Sequence, residues 1–116
     1  MIRKKGSYRV DVRKQMMGGT GEFVVENILL PEEMRQKGRL FARGSLAPGS
    51  SVGYHVHDQD MEICYFLSGS GQVTDQNGTV TMVSAGDTNI VNVGEGHEIT
   101  NVGHTDLVYI ALILFA

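Results

Sequence analysis

Hydrophobic and polar positions alternate along this chain in short runs, which glycine-rich or polar turns separate. A period of two is typical of a β-strand with one buried and one exposed face, because successive side chains point to opposite sides. The pattern predicts strands at Tyr8–Val12, Glu22–Ile28, Arg39–Leu46, Val52–His57, Glu62–Ser68, Gln72–Asp75, Val80–Val83, Thr88–Val91, His97–Asn101 and Leu107–Phe115. Short strands at this regular spacing indicate an all-β fold, either a sandwich or a barrel.

Turn residues support the same fold and leave room for one short helix. The chain has 15 glycines and 2 prolines, and its Asn77-Gly78 pair is a hairpin signal because both residues tolerate positive φ. The helical signal covers residues 31–38, in which Pro31 suits a first helical position and Gly38 suits a stop. We therefore expect one or two helical turns there and strands elsewhere.

Composition limits the class of protein. Hydrophobic residues make up 41% of the chain and charged residues 20%, a balance typical of globular domains. No apolar run reaches the roughly 18 residues that a membrane span needs, so we expect no membrane association. Cys64 is the single cysteine, which excludes an internal disulfide and favours a reducing, cytoplasmic location.

Charge is uneven along the chain. Residues 1–14 carry six basic side chains and one acidic side chain, whereas the remainder carries four basic and twelve acidic ones. A basic arm can contact nucleic acid, but the acidic body would repel phosphate, and only Tyr8 adds an aromatic group to the arm. We therefore expect no nucleic-acid partner, and a basic, flexible leader at residues 1–6 that runs into an edge strand.

Two of the four histidines, His55 and His57, stand one residue apart on a predicted strand. Residues i and i+2 of a strand share a face, so both imidazoles should point the same way. Glu62 opens the next strand at its first inward position, which would bring a carboxylate opposite them. Imidazole nitrogens and a carboxylate oxygen suit first-row transition metals. His97 begins a later strand and is the candidate for a fourth ligand, whereas His104 lies in a loop and should be exposed.

The same alternation sorts the neighbours of the two histidines. Ser51 and Gly53 should share their face, and Tyr54 and Val56 should point outward. Asp60 falls in the polar link before the next strand, where we expect it to be exposed.

Two segments resemble the two sequence motifs of the cupin family. The first, residues 49–69, matches through Gly49, His55, His57, Glu62 and Gly69. The second, residues 86–101, matches through Gly86, Gly94, His97 and Asn101. Asn92 stands where the family usually has proline, which should loosen the turn before His97 without removing a ligand.

The resemblance implies a double-stranded β-helix, or jelly-roll barrel, in which residues 1–116 form a single cupin domain around a metal ion. Carried over by position, the ligands are His55, His57, Glu62 and His97. Cupins of this pattern use manganese, iron, nickel, cobalt or zinc, so the resemblance implies one divalent transition metal ion as cofactor.

Segments such as KGRLFARGSLAPGSSVGYHVH also resemble small cupins described as oxalate-decarboxylase-like or sugar-phosphate-isomerase-like. The resemblance therefore implies a metal-dependent enzyme, a decarboxylase, isomerase or dioxygenase, that acts on a small carboxylate, sugar or other oxygen-rich metabolite. The alternative is a metal-containing module that binds or senses a small molecule without turnover.

Four further residues are candidates for the substrate pocket. Cys64 and Phe66 share the face of Glu62 by alternation, although a free cysteine is also a common small core residue. Arg43 is the main basic candidate for the pocket mouth, and Asn92 is expected near its floor.

An apolar outer surface indicates a partner. The outward side chains of the two motif-1 strands are largely apolar: Tyr54, Ile63, Tyr65 and Leu67. Such a face needs a cover, and cupins commonly pair, so we expect a homodimer.

Overall fold

A computed structural model describes residues 1–116 and contains ten β-strands. They are β1 (Val10–Lys14), β2 (Glu22–Leu29), β3 (Gly38–Leu46), β4 (Ser51–Val56), β5 (Asp60–Ser68), β6 (Ser70–Asp75), β7 (Val80–Ser84), β8 (Thr88–Val91), β9 (Gly96–Asn101) and β10 (Leu107–Phe115). Each lies within two residues of a predicted strand at either end, because alternation and glycine-rich turns mark both strands and corners. The all-β prediction is confirmed.

The strands form two antiparallel sheets. The larger has the order β1-β2-β3-β10-β5-β8, and the smaller has the order β4-β9-β6-β7. β4 and β5, although consecutive in sequence, therefore lie in different sheets. This arrangement is the jelly roll, and it places the two halves of the first motif on opposite walls of one interior.

The core fills the space between the sheets. A cluster of 15 buried residues draws Phe23, Leu46 and Phe66 from the larger sheet and Val52 and Ile99 from the smaller one. Burial of a large apolar side chain contributes ~1.5–3 kcal/mol to stability. The apolar cluster therefore holds the two walls at a fixed separation, on which the polar centre between them depends.

A β-bulge in β4 resets which side chains face inward. Val52 pairs with Ile99, and His55 pairs with His97, so two residues of β4 oppose one residue of β9 between these pairs. An extra residue re-aims the side chains that follow it. Val52 is consequently buried in the core although His55, an odd number of positions later, also points inward. The prediction that Ser51 shares the face of the histidines was wrong.

The helical signal at residues 31–38 gives a single 3₁₀ turn at Pro31–Met34. Arg35 and Gln36 then adopt left-handed φ values of 52° and 63°, which end the helix before Gly38. Gly38 is thus the first residue of β3 and not a helical stop. No helix is long and apolar enough to cross a membrane.

A second 3₁₀ turn, Met16–Gly18, was not predicted. It contacts β4, where a β-carbon on Gly53 would overlap the Met17 carbonyl oxygen. The absence of a side chain at Gly53 therefore allows this turn to lie against the strand that carries His55.

Part of the basic N-terminal segment contacts the body of the chain. Arg3 donates one hydrogen bond to the Ile28 carbonyl oxygen at 2.9 Å and pairs with the Glu33 carboxylate at 2.8 Å. β1 then forms an edge of the larger sheet, as expected for this segment. A flexible leader at residues 1–6 stays a prediction.

Candidate metal centre

Four polar side chains meet between the two sheets. One donor atom from each of His55, His57, Glu62 and His97 lies within 4.8 Å of the others. Glu62 Oε1 lies 2.8 Å from His97 Nε2 and 3.2 Å from His57 Nε2, and His97 Nε2 lies 3.1 Å from His55 Nε2. The structure therefore brings together the residues that the two motifs point to.

Three elements and one turn position these side chains. His55 and His97 are direct cross-strand partners on β4 and β9, and Glu62 projects from β5 on the opposite wall. His57 lies just beyond β4. Its N–H donates to the Glu95 carbonyl oxygen at 2.9 Å, and its carbonyl oxygen accepts from the Gly94 N–H at 2.6 Å. The turn before His97 thus fixes the backbone of His57.

That turn has a closure of its own at the position where the family usually has proline. The Asn92 N–H donates to Glu95 Oε1 at 2.8 Å, and the Glu95 N–H donates to the Asn92 carbonyl oxygen at 3.0 Å. A proline has no N–H and could not make the first bond. This bond argues against the expectation that Asn92 loosens the turn, which stays a prediction.

A separate acceptor orients each imidazole. The Nδ1 atom of His55 contacts the Gly53 carbonyl oxygen at 2.8 Å, and that of His57 contacts Asp60 Oδ1 at 2.6 Å. His97 Nδ1 contacts Asn89 Oδ1 at 2.7 Å. A carbonyl or carboxylate oxygen can only accept, so each neutral ring carries its proton on Nδ1 and presents an unprotonated Nε2 inward.

Because of this tautomer, the centre consists of acceptors facing acceptors. His57 Nε2 is buried with no hydrogen-bond partner, and an unpaired buried polar atom is costly. Three imidazole nitrogens and one carboxylate directed at one point are a donor set for a divalent transition metal. The outer acceptors are those that commonly orient metal-binding histidines. The residues present therefore fit a metal ion.

The charges of the cluster agree with this interpretation. Burial disfavours the Glu62 carboxylate, but the adjacent His57 and His97 imidazoles outweigh burial and lower the pKa of Glu62 to about 2. Burial lowers the pKa of His55, which keeps that ring neutral. Without a metal ion, the Glu62 carboxylate raises the pKa of His57 above its ordinary value, and Asp60 adds to this effect. A metal ion would have to displace any proton on Nε2 of this ring. Glu62 thus stays ionised at neutral pH and gives the centre one anionic group.

A small pocket leads to the four side chains. Its walls are mostly apolar and include Val52, Ile99 and Ile113, and its polar residues apart from the cluster are Arg13, Arg39 and Tyr109. The cavity volume is about 30 Å³, which is space for roughly one or two water-sized groups.

None of the four residues predicted for the substrate pocket lines it. Cys64 and Phe66 share the face of Glu62, as the alternation predicts, but both are fully buried in the core. Arg43 lies on the outer face of β3, beside Glu26 and Tyr8. Asn92 is exposed in its turn. The assignment of these residues to the pocket is therefore corrected.

Asp60 is buried, although from its sequence context we expected it to be exposed. It is 7% exposed, begins β5, and bridges His57 to Arg39, whose Nε donates to its Oδ2 at 2.8 Å. The signal was available in the sequence, because Asp60 and Glu62 are two positions apart and share a strand face. Asn89 and Tyr109 were missed as well. Asn89 lies inside the second motif but at none of its matching positions, and Tyr109 lies in a continuous apolar run without alternation.

Comparison with known proteins agrees with the fold and the motifs. The family model of the cupin domain matches residues 42–113. The chain belongs to the cupin family.

Two comparisons with proteins of Thermotoga maritima cover most of the chain. An oxalate-binding protein is 46% identical over 99 residues, which cover 85% of this chain and 81% of that protein. The crystal structure of a predicted oxalate decarboxylase aligns over 100% of both chains, with 40% identity and a TM-score of 0.93. The polyketide cyclase RemF of Streptomyces resistomycificus shares the fold, with a TM-score of 0.79 and 16% identity over 98% of this chain and 80% of that one.

Proposed function

We propose that this protein binds one divalent transition metal ion through His55, His57, Glu62 and His97, and that it binds a small carboxylate at that centre. The observation that carries the proposal is the inward convergence of four acceptor groups, one of them unpaired and buried. A bound ion would supply Lewis acidity and, if redox-active, electron exchange with a small molecule. Three neutral ligands and one anionic ligand leave a divalent ion with net positive charge, which favours an anionic partner.

The pocket supports a small anion over a sugar. Its volume of about 30 Å³ argues against a molecule as large as a sugar, and Arg13 and Arg39 are the charged residues of its lining apart from the metal cluster. Arg39 is partly neutralised by Asp60, whereas the contact of Arg13 within the chain is a long one to Met16 Sδ at 4.0 Å. A guanidinium binds carboxylates well. The name of the oxalate-binding relative makes oxalate the first ligand to test.

The bound carboxylate has two candidate fates. An enzyme, such as a decarboxylase or dioxygenase, would use the metal to activate it. Binding without turnover is the second candidate and has one observation in its favour. Glu62 is the only carboxyl group that lines the pocket, so no separate carboxylic acid is available there for proton transfer.

Metal analysis followed by ligand titration tests the proposal. We would purify the wild type, His97→Ala and His104→Ala without added metal, and measure metal content by elemental analysis. We expect roughly one ion per chain in the wild type and in His104→Ala, whose imidazole is exposed, and a strong loss in His97→Ala.

Calorimetric titration of the manganese-loaded wild type with oxalate then tests the ligand, and assays for carbon dioxide and formate separate turnover from binding. Equal metal content in all three proteins would overturn the metal centre. A loaded wild type that binds neither oxalate nor acetate would overturn the carboxylate ligand.

We also propose that the protein is a homodimer formed through the outer apolar face of the larger sheet. This face is defined by Phe41, Ile63, Tyr65, Leu67, Ile90, Ile110 and Leu112. Register places Ile63 beside both Leu112 and Ile90, and Tyr65 beside Ile110. Tyr65 is 46% exposed and Ile90 is 56% exposed. A continuous apolar surface of this kind is typical of an association site.

A further inference from the structure

Tyr109 is a buried tyrosine that borders the metal pocket. It lies on β10, is 2% exposed, and is among the residues that line the pocket with the four-residue cluster. Sequence motifs do not point to it, and no metal ligand depends on it for orientation.

Two aromatic neighbours pack against the ring of Tyr109. It stacks on Phe23 with a centroid distance of 5.7 Å and an interplanar angle of 16°. Phe66 packs against it at 5.3 Å with an angle of 49°. Such contacts leave the ring little freedom, so the position of its hydroxyl group is set before any ligand arrives.

The Tyr109 hydroxyl group has no hydrogen-bond partner within the chain. Asn27 Oδ1 and His57 Nε2 are the fully buried polar side-chain atoms without a partner, so the Tyr109 hydroxyl group keeps some exposure, and its residue lines the pocket. It can therefore donate to a molecule in the pocket, which phenylalanine at this position could not do. Burial also raises the pKa of Tyr109 well above its ordinary value, which keeps the hydroxyl protonated and able to donate.

We propose that Tyr109 is a ligand-contacting residue, whose hydroxyl group donates a hydrogen bond to an oxygen atom of the carboxylate held in the pocket. This inference rests on the proposed function, since it needs a carboxylate at the metal centre. The fixed donor complements Arg13 and the metal ion, and it selects anions that keep an oxygen acceptor on the β10 wall.

The test compares Tyr109→Phe with the wild type and with Tyr65→Phe, all loaded with manganese. Tyr65 is on the adjacent strand β5 but faces outward, so its hydroxyl group is a matched control. We expect oxalate affinity to fall roughly 10- to 100-fold in Tyr109→Phe, as for the loss of a hydrogen bond to a charged group. Manganese affinity should stay unchanged, and Tyr65→Phe should match the wild type in both.

A measurement on the wild type covers the case in which Tyr109→Phe does not fold. The zinc-loaded protein, labelled with ¹³C at tyrosine Cζ, should show a shift of the Tyr109 signal when oxalate is added. The signals of Tyr8, Tyr54 and Tyr65 should stay in place.

The outcomes separate this inference from the proposed function. A wild type that binds oxalate, with equal affinity in Tyr109→Phe or an unmoved Tyr109 signal, overturns the role of Tyr109 alone. A loaded wild type that binds no carboxylate overturns the proposed function, and the role of Tyr109 with it.

Discussion

At the scale of single residues, the acceptors behind the imidazoles decide what the centre can bind. One oxygen atom from each of Gly53, Asp60 and Asn89 accepts a hydrogen bond from an imidazole Nδ1–H, and this leaves every Nε2 free for a metal ion. Only one of the three is a charged side chain. Asp60 is therefore the acceptor whose replacement tests orientation most directly.

We predict that Asp60→Asn lowers metal affinity about 10- to 100-fold, as replacement of such supporting groups typically does. The amide removes the charge that favours the Nδ1–H form of His57, and it weakens the pairing with Arg39. Competition with a chromogenic chelator measures the effect. Asp58→Asn, at an exposed position two residues earlier, is the control and should bind metal like the wild type. Equal affinities in the two variants would show that Asp60 does not support the metal site.

Sequence alone could identify the four inward donors, because their types and spacing form two motifs. It could not identify all the supporting residues. The Asn89 contact links β8 to β9, which lie in different sheets, and no local pattern reports such a distant pairing. Asp60 differs, because its spacing of two from Glu62 already predicts that both side chains point inward. The polar residues around Asp60 suggested an exposed link instead.

At the scale of secondary-structure elements, β4 shows why alternation predicts the position of a strand better than it predicts which of its side chains point inward. The strand bounds were close, but the bulge after Val52 reverses the inside and outside assignments of the residues before it. The same strand receives the Met16–Gly18 turn against Gly53. No periodic pattern marks that turn, in which Met17 has a left-handed φ of 54°.

We predict that Gly53→Ala destabilises the protein by about 1–3 kcal/mol, the usual cost of overpacking. The new methyl group would overlap the Met17 carbonyl oxygen and the Gly19 nitrogen, and the backbone shift would move the carbonyl oxygen that orients His55. Denaturant unfolding of the metal-free protein measures stability, and a chelator titration measures metal affinity.

Val56→Ala is the control for Gly53→Ala, since Val56 lies on the same strand and is 52% exposed. Its effect on both quantities should be small. A Gly53→Ala protein as stable as the control would mean that the Met16–Gly18 turn moves aside without cost.

At the scale of the whole molecule, the two sheets differ in what they offer to solvent. The larger sheet presents the outer apolar face and carries Glu62 on its inner face, whereas the smaller sheet contributes β4 and β9 to the metal centre. Association through the outer face of the larger sheet would bury side chains that point away from the metal centre, so we expect the centre to stay unchanged.

We predict that Ile90→Lys converts a dimer into a monomer and leaves metal content unchanged, because a buried, unpaired ammonium group would be costly in the interface. Analytical ultracentrifugation measures the mass in solution. Met82→Lys, with a side chain that is 59% exposed on the smaller sheet, is the control and should remain dimeric. A monomeric wild type would contradict the proposed dimer.

The turn at residues 92–95 has a consequence for protein engineering. A designer who copies the family's usual residue would write Asn92→Pro and expect the gain that rigid loops often bring. Here proline would remove the Asn92 N–H group, which donates a hydrogen bond to Glu95 Oε1. The Glu95 carbonyl oxygen also accepts a hydrogen bond from the His57 N–H, so a change in the turn would reach a metal ligand. We expect the free energy of unfolding to fall by about 1 kcal/mol and metal retention to weaken. Thermal melting, with Val93→Ala as the control, measures the change in stability. An unchanged or higher melting temperature would contradict this. Replacing a residue by the one most common in the family would thus destabilise this turn, because a hydrogen bond from Asn92 closes it in place of the ring of a proline.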